Sequence, residues 1–245
     1  MGAGRAALLA ATSAEAVHLA PAAVRLAPVR GLLLRRLAGH GAAGHVALTF
    51  DDGPDPASTP LFLDRLDELG ATATFFLLGS MLEQWPSLGR ELTARGHEVA
   101  VHGWYHDPQW WPSPARDARE LRRTVEAVTE LCGRRPLWYR PPYGVLTTGL
   151  LLAARQVELR PVLWTAWGRD WTAAATPASV YRTLRPGLHG GATVLLHDSD
   201  CTSAPGSWRS ALDALPLVAE RCSRLGLELG PLREHGLIKR HYPYD

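Results

Sequence analysis

Val46-Ala47-Leu48-Thr49-Phe50-Asp51-Asp52-Gly53-Pro54-Asp55-Pro56 is an apolar run of strand character that stops at two adjacent carboxylates. Side chains alternate along a strand, so Asp51 and Asp52 are expected on opposite sides of the chain at its C-terminal tip. One carboxylate there can hold a cation while its neighbour moves a proton. Gly53 and Pro54 turn the chain away and leave the tip open. Taken alone, an Asp-Asp-Gly tripeptide is equally a solvated turn, and partners further along the chain decide between the two.

From His45 onward, strand-like and helix-like stretches alternate. Strands are predicted at Val46–Phe50, Thr72–Leu78, Glu98–His102, Leu137–Arg140, Arg160–Trp164, Gly191–His197 and Gly226–Leu229. Helices are predicted at Ser58–Leu69, Trp85–Arg95, Pro114–Cys132, Leu146–Gln156, Pro177–Leu184 and Trp208–Leu225. The clearest helix is Pro114–Cys132, where Leu121, Val125, Val128 and Leu131 share one face and Gly133 supplies the stop. Such alternation implies parallel strands joined by right-handed crossovers. Seven strands are enough to close or nearly close a barrel, so the expected fold is α/β, a distorted (β/α)7 barrel in a single domain.

Chemistry in parallel α/β folds gathers at the carboxyl ends of the strands. Asp51 and Asp52 follow the first strand, His102 ends the third with His106 close behind, and Arg140 ends the fourth. Asp170-Trp171 follows the Trp164 strand, and His197-Asp198 ends the Val194-Leu195-Leu196 strand. A merely solvated surface would scatter these groups. His102 and His106 are spaced so that a single helical turn would lay both imidazoles on one face. With Asp52 they make a two-histidine, one-carboxylate set that leaves positions open for water and substrate, as a catalytic zinc site requires. Cobalt, nickel or manganese would suit the same donors. Asp51, beside the ligand Asp52, is the nearest base, and His197 is available as the acid that protonates a departing amine. Asp198 and Asp200 are read as structural members of a polar loop, and Cys201 as a thiol near the site.

The set resembles the polysaccharide deacetylase family, the NodB-homology or family 4 carbohydrate esterases. Thr49-Phe50-Asp51-Asp52-Gly53-Pro54, His102-Gly103-Trp104-Tyr105-His106, Arg140-Pro141-Pro142-Tyr143, Asp170-Trp171 and Leu195-Leu196-His197-Asp198 match its five motifs in order, over roughly Val46 to Leu229. The resemblance implies a NodB-type barrel and a metal-dependent hydrolase that removes N-acetyl groups from amino sugars of chitin or peptidoglycan type, using a water activated by the cation. It implies Asp51 as base, His197 as acid, and Asp52, His102 and His106 as ligands. Tyr143 would lend its backbone N–H to the oxyanion, Arg140 would orient Asp51, and Asp170 would hold His197 protonated. Leu195, Trp171 and Pro141 would contact the substrate.

Two positions depart from the pattern. Gly103 stands where the family carries Ser or Thr, so a hydroxyl that fixes the histidine loop is missing. Trp167 replaces an Asp three residues before Asp170, and with Trp164, Trp171 and Trp110-Trp111 it makes the rim unusually aromatic. Such a rim suits sugar rings, but it also suits acyl chains or aromatic groups. The alternative substrate is therefore a non-polymeric acylated small molecule.

The expected organisation is an N-terminal amphipathic segment over 1–44, a catalytic domain over 45–232 and a tail over 233–245. The formal net charge of +2 is concentrated at the start, where Arg5, Arg25, Arg30, Arg35 and Arg36 face a single acid, Glu15. The nearly neutral remainder carries no electrostatic footprint for nucleic acid. Residues 16–38 read as a broken amphipathic helix, either a cap on the domain or, less favoured, a dock on an anionic membrane surface. Ala6 to Ala11 makes a poor secretory signal. Cys132, Cys201 and Cys222 lack CxxC spacing and read as buried thiols in a reducing compartment, with one disulfide plus a free thiol as the alternative. Both features favour a cytoplasmic over a secreted location.

Overall fold

Strand β1 (His45–Asp51) is buried along its whole length because it has neighbours on both flanks. In the computed structural model, which describes residues 15–25, 34–107 and 111–238, β1 pairs with β2 (Thr74–Leu78) and β7 (Thr193–His197). The sheet runs β5-β4-β3-β2-β1-β7-β6, all parallel, and β8 (Glu228–Gly230) pairs with the start of β1. Between them lie β3 (Glu98–Gly103), β4 (Trp138–Tyr139), β5 (Arg160–Pro161) and β6 (Ala166–Trp167). Crossover helices cover the outside: α1 (Thr59–Glu68), α2 (Gly79–Gln84), α3 (Pro86–Ala94), α4 (Pro114–Cys132), α5 (Thr148–Gln156), α6 (Pro177–Leu184) and α7 (Trp208–Arg224). The result is the expected distorted barrel, curled but not closed by a continuous ladder.

Two predicted elements are divided. The strand expected at Arg160–Trp164 becomes β5 on one edge and β6 on the other. The ladder to β4 runs through the Arg160 and Val162 N–H groups, and the Leu163 N–H then donates outside the sheet to the Leu37 carbonyl at 2.7 Å. The helix expected at Trp85–Arg95 starts one residue later as α3, because Pro86 suits a first helical turn and not an interior. The preceding Gly79–Gln84 forms α2, which lacks a readable periodicity.

Strand parity then sorts the side chains. Val46, Leu48 and Phe50 of β1, Phe75 and Leu77 of β2, Val99 and Val101 of β3, and Val194 and Leu196 of β7 all face the helices and form the main core. The alternate positions must face the barrel interior. Its lower part is filled by Ala47, Phe76, Ala100, Trp138, Val162, Leu232 and Leu237. The same parity points Asp51, His102, Arg140, Trp167, Leu195 and His197 inward, near the upper rim. Hydrophobic burial on one face thus dictates where the chemistry on the other face converges.

The base is sealed by the flanking segments. Thr193 Oγ1 donates to the Gly39 carbonyl at 2.7 Å, and Gly41 N–H donates to Gly191. Residues 233–238, expected as a tail, pack here too, with His235 and Leu237 buried. Of the expected amphipathic stretch, residues 15–19 form a helical turn followed by a 3-10 helix at Ala20–Arg25. Thr148 Oγ1 donates to the Val17 carbonyl at 2.7 Å and ties this segment to α5. Residues 35–39 of the same expectation form turns, while residues 1–14 and 26–33, with Trp110 and residues 239–245, lie outside the described ones. Among the described residues no helix is long and apolar enough to cross a membrane.

Candidate active site

Asp51 is the last residue of β1, and parity turns it into the barrel mouth. Asp52 does not point the other way as alternation demands. Its φ of +80° takes it out of strand geometry and swings its carboxylate into the same cavity. Both acids therefore face His102, whose Nε2 lies 3.2 Å from Asp52 Oδ1 and 3.9 Å from Asp51 Oδ2. His106 Nε2 lies 3.4 Å from the same Asp52 Oδ1.

The two histidines do not share a helical turn. His102 is held in β3 by sheet pairing, and His106 sits in the bend that follows. The reversal occurs at Gly103, with φ of +127°, where a side chain would meet the Tyr105 carbonyl at 3.1 Å. The four-residue spacing brings the imidazoles together all the same, with ring centroids 5.1 Å apart.

His102 Nδ1 lies 2.8 Å from the Arg140 carbonyl oxygen. A carbonyl only accepts, so Nδ1 carries the proton and the Nε2 lone pair faces Asp52. Asp52 Oδ1 is buried without a hydrogen bond among the described residues. One ligand atom each from Asp52, His102 and His106 thus lies within 4.8 Å of the others. A divalent cation fits that donor set, and those three residues would hold it.

The surrounding charges are strongly perturbed. Burial raises the Asp52 carboxyl, but the closeness of His102, then of His197 and His106, holds it well below the usual carboxylate range. Burial, reinforced by His102, lowers His106. His197 is pushed up to about 10, because Asp170, then Asp52 and Asp51, outweigh the opposing effect of burial. Asp170 holds His197 twice, accepting from its backbone N–H at 2.8 Å and from Nδ1 at 3.1 Å. Arg140 is fully buried inside the barrel. It donates to Asp51 Oδ1 at 2.7 Å, Thr49 Oγ1 at 2.8 Å and the Leu163 carbonyl at 3.0 Å, fixing the carboxylate beside the cavity.

Above these groups opens a cavity of about 290 Å³ whose apolar wall is Tyr143, Trp164, Trp167, Trp171 and Leu195. Trp164 and Trp167 stack with centroids 6.1 Å apart, Trp171 follows at 5.1 Å, and Trp171 meets the His197 ring edge-on at 5.8 Å. Trp167 and Leu195 are register partners on β6 and β7, which carries this wall directly past His197. Tyr143 adopts φ of +57° and packs its ring on His106 at 4.4 Å. Trp164 reaches across to Gly144, where any side chain would collide with its ring. Pro141, expected to touch substrate, is buried off the cavity wall, and its carbonyl receives the Gly144 N–H.

The loop after β7 contributes a residue that the sequence reading passed over. Thr202 Oγ1 donates to Asp52 Oδ2 at 2.8 Å, from a stretch that reads as an ordinary polar loop. Asp198 is structural as expected: it is buried, accepts from Thr59 at 2.6 Å, and is pushed up to about 7 by that burial. All three thiols are free; Cys132 and Cys222 are buried, whereas Cys201 is exposed, contrary to expectation.

A family profile described as polysaccharide deacetylase matches residues 38–162. The chitooligosaccharide deacetylase of Bradyrhizobium sp. (strain ANU 289) is 36% identical over 200 residues, covering 76% of this chain and 88% of that protein. The peptidoglycan-N-acetylmuramic acid deacetylase PdaC of Bacillus subtilis is 34% identical over 195 residues; the match covers 80% of this chain but only 39% of that longer protein. Among solved structures, a family 4 carbohydrate esterase from Streptomyces lividans in complex with acetate superposes with a TM-score of 0.69 at 30% identity, covering 79% of this chain and 96% of that one.

Proposed function

The chain belongs to the polysaccharide deacetylase family, and from that premise we propose that it removes N-acetyl groups from amino sugars with Asp51 as base and His197 as acid. The observation that carries this reading is the convergence of Asp52, His102 and His106 between an arginine-held carboxylate and a histidine held protonated by Asp170.

Zinc is the cation the donor set favours; when bound it supplies Lewis-acid chemistry, lowering the pKa of a water and polarising the amide carbonyl. The chain's own residues do the rest. Asp51, pinned by Arg140 through Oδ1, keeps Oδ2 for the proton of the attacking water. The carbonyl oxygen, as it gains charge, is met by the backbone N–H of Tyr143. His197 then delivers its proton to the departing amine, and Asp170 stabilises the charged imidazole until it does so. Trp171 and Leu195 enclose the acetyl methyl and exclude water from it.

The direct test is acetate release from N-acetylglucosamine oligomers, abolished by EDTA and restored by zinc or cobalt. Full activity after chelation would sink the cation's role. A second substrate reading, a small acylated amide, is supported by the Trp164–Trp167–Trp171 wall, which extends the apolar surface beyond an acetyl group. Turnover of small amides with none of oligomers would select it. The three free thiols support a reducing compartment.

A further inference from the structure

We infer that Thr202 is a positioning residue for the cation site: its hydroxyl pins Asp52 Oδ2 and presents Oδ1 alone to His102 and His106. This rests on reading those three residues as the cation's ligands.

Asp52 needs such a brace. Its left-handed backbone places the carboxylate at the end of a reversed peptide, where no neighbour on β1 fixes its rotation. A free carboxylate could present either oxygen or both. The Thr202 hydroxyl has one proton to give, and gives it to Oδ2 at 2.8 Å. Oδ1 is left buried, unpaired and 3.2 to 3.4 Å from both imidazoles. A carboxylate pinned in this way binds through one oxygen, which suits a four-coordinate zinc with room for water. Larger oxygen-seeking cations more often take both oxygens.

The loop that carries Thr202 is itself anchored. Ser199 Oγ donates to Asp55 Oδ2 at 3.2 Å, the Cys201 N–H donates to Ser199 Oγ at 3.2 Å, and the Ala204 N–H donates to the Trp171 carbonyl at 3.0 Å. Cys201 Sγ adds a weak contact to the Asp52 carbonyl at 3.6 Å. This loop therefore holds Asp52 by both its side chain and its backbone.

The histidine side shows the complementary lack. Gly103 offers no hydroxyl, and His106 Nδ1 is buried without a partner among the described residues. Serine at Gly103 could not simply supply one, since φ of +127° disfavours any side chain and the Tyr105 carbonyl lies 3.1 Å from its Cβ position. In this chain the hydroxyl beside the site comes from the loop after β7 and braces the carboxylate.

The test is zinc affinity, measured by chelator competition on the full chain, together with the visible spectrum of the cobalt form. Thr202→Val should weaken zinc by about 10–100-fold, the range for lost outer-shell partners, and should alter the cobalt absorption. Thr202→Ser, which keeps the hydroxyl, should restore both. Parental zinc affinity and cobalt spectrum in a folded Thr202→Val would overturn the inference; if valine prevents folding, Thr202→Ala decides by the same readings. A parent chain that binds no zinc would overturn the ligand assignment as well, whereas tight binding unchanged by either variant overturns Thr202 alone.

Discussion

The two ends of the barrel each bury histidines, and they treat them oppositely. At the base, His45 and His235 meet with their Nδ1 atoms 2.8 Å apart. His235 Nε2 faces the Gly39 carbonyl at 3.3 Å, so it carries a proton, and in the neutral pair His45 donates from Nδ1 to His235 Nδ1. Burial first, and the neighbouring His45 next, lower His235 to about 4. Burial likewise lowers His45, outweighing Glu234 and Glu228. At the mouth, His197 lines the cavity and keeps its side chain only 15% exposed, yet Asp170 in direct contact pushes it up to about 10. Desolvation disfavours the charged imidazole in both places. What decides the outcome is a carboxylate within hydrogen-bond reach. The base uses its histidines as neutral packing; the mouth keeps one charged, as the proposed acid requires.

The contrast can be broken most severely at the mouth. Asp51→Asn should lower kcat for acetate release by about 10²–10⁴-fold, the usual worth of a general base, while leaving zinc affinity nearly intact. Activity close to the parent's would remove Asp51 from the mechanism.

Asp170→Asn removes the leading cause of the raised His197 pKa. The sign follows directly: the acid must be protonated, so parent activity persists through neutral pH and fails only as pH rises through about 10. The variant's alkaline limb should move down toward the ordinary imidazole value of about 6.5, with kcat at neutral pH falling by roughly 10–100-fold. A pH–rate profile with an unmoved limb would contradict the assigned acid.

At the base the expected effect is on stability alone. His235→Ala strands the His45 Nδ1–H and should cost about 1–3 kcal/mol, read by thermal or urea unfolding, with kcat unchanged. The lowered pKa also gives a direction: the folded base resists protonation, so its contribution is whole above pH ~6.5 and declines as pH falls toward about 4. The melting temperature of His235→Ala should therefore fall less steeply with acid than that of the parent. An altered kcat would mean the two ends are coupled.

The smallest effect concerns the wall. Trp167→Ala should raise KM for N-acetylglucosamine oligomers about 2–10-fold at constant kcat, the worth of one aromatic contact. A fall in kcat instead would place Trp167 closer to the reacting atoms.

Much of the mouth was legible before any coordinates. Asp51, His102, Arg140 and His197 sit at the ends of apolar strands, and alternation against Phe50, Val101, Tyr139 and Leu196 sends them inward. The same logic failed where local backbone overrode periodicity. Asp52 should face away from Asp51 and does not, because φ of +80° abandons the strand. His102 and His106 should share a helical turn and instead straddle a bend. The strand predicted through Trp164 ended early, because the Leu163 N–H bonds to Leu37 outside the sheet. Thr202 left no signal, since a threonine 150 positions from its partner carries no pattern linking the two.

Sequence alone determined the order and faces of the elements, because burial periodicity is local and each apolar strand announces its own inward side. It also determined which ionisable groups would stand at the mouth. Tertiary structure decided how those groups are charged and braced: whether a buried imidazole finds a carboxylate or another imidazole, and which oxygen of Asp52 stays free. Those outcomes depend on contacts between segments far apart in the chain, where desolvation and Coulomb forces act across distances that sequence spacing does not encode.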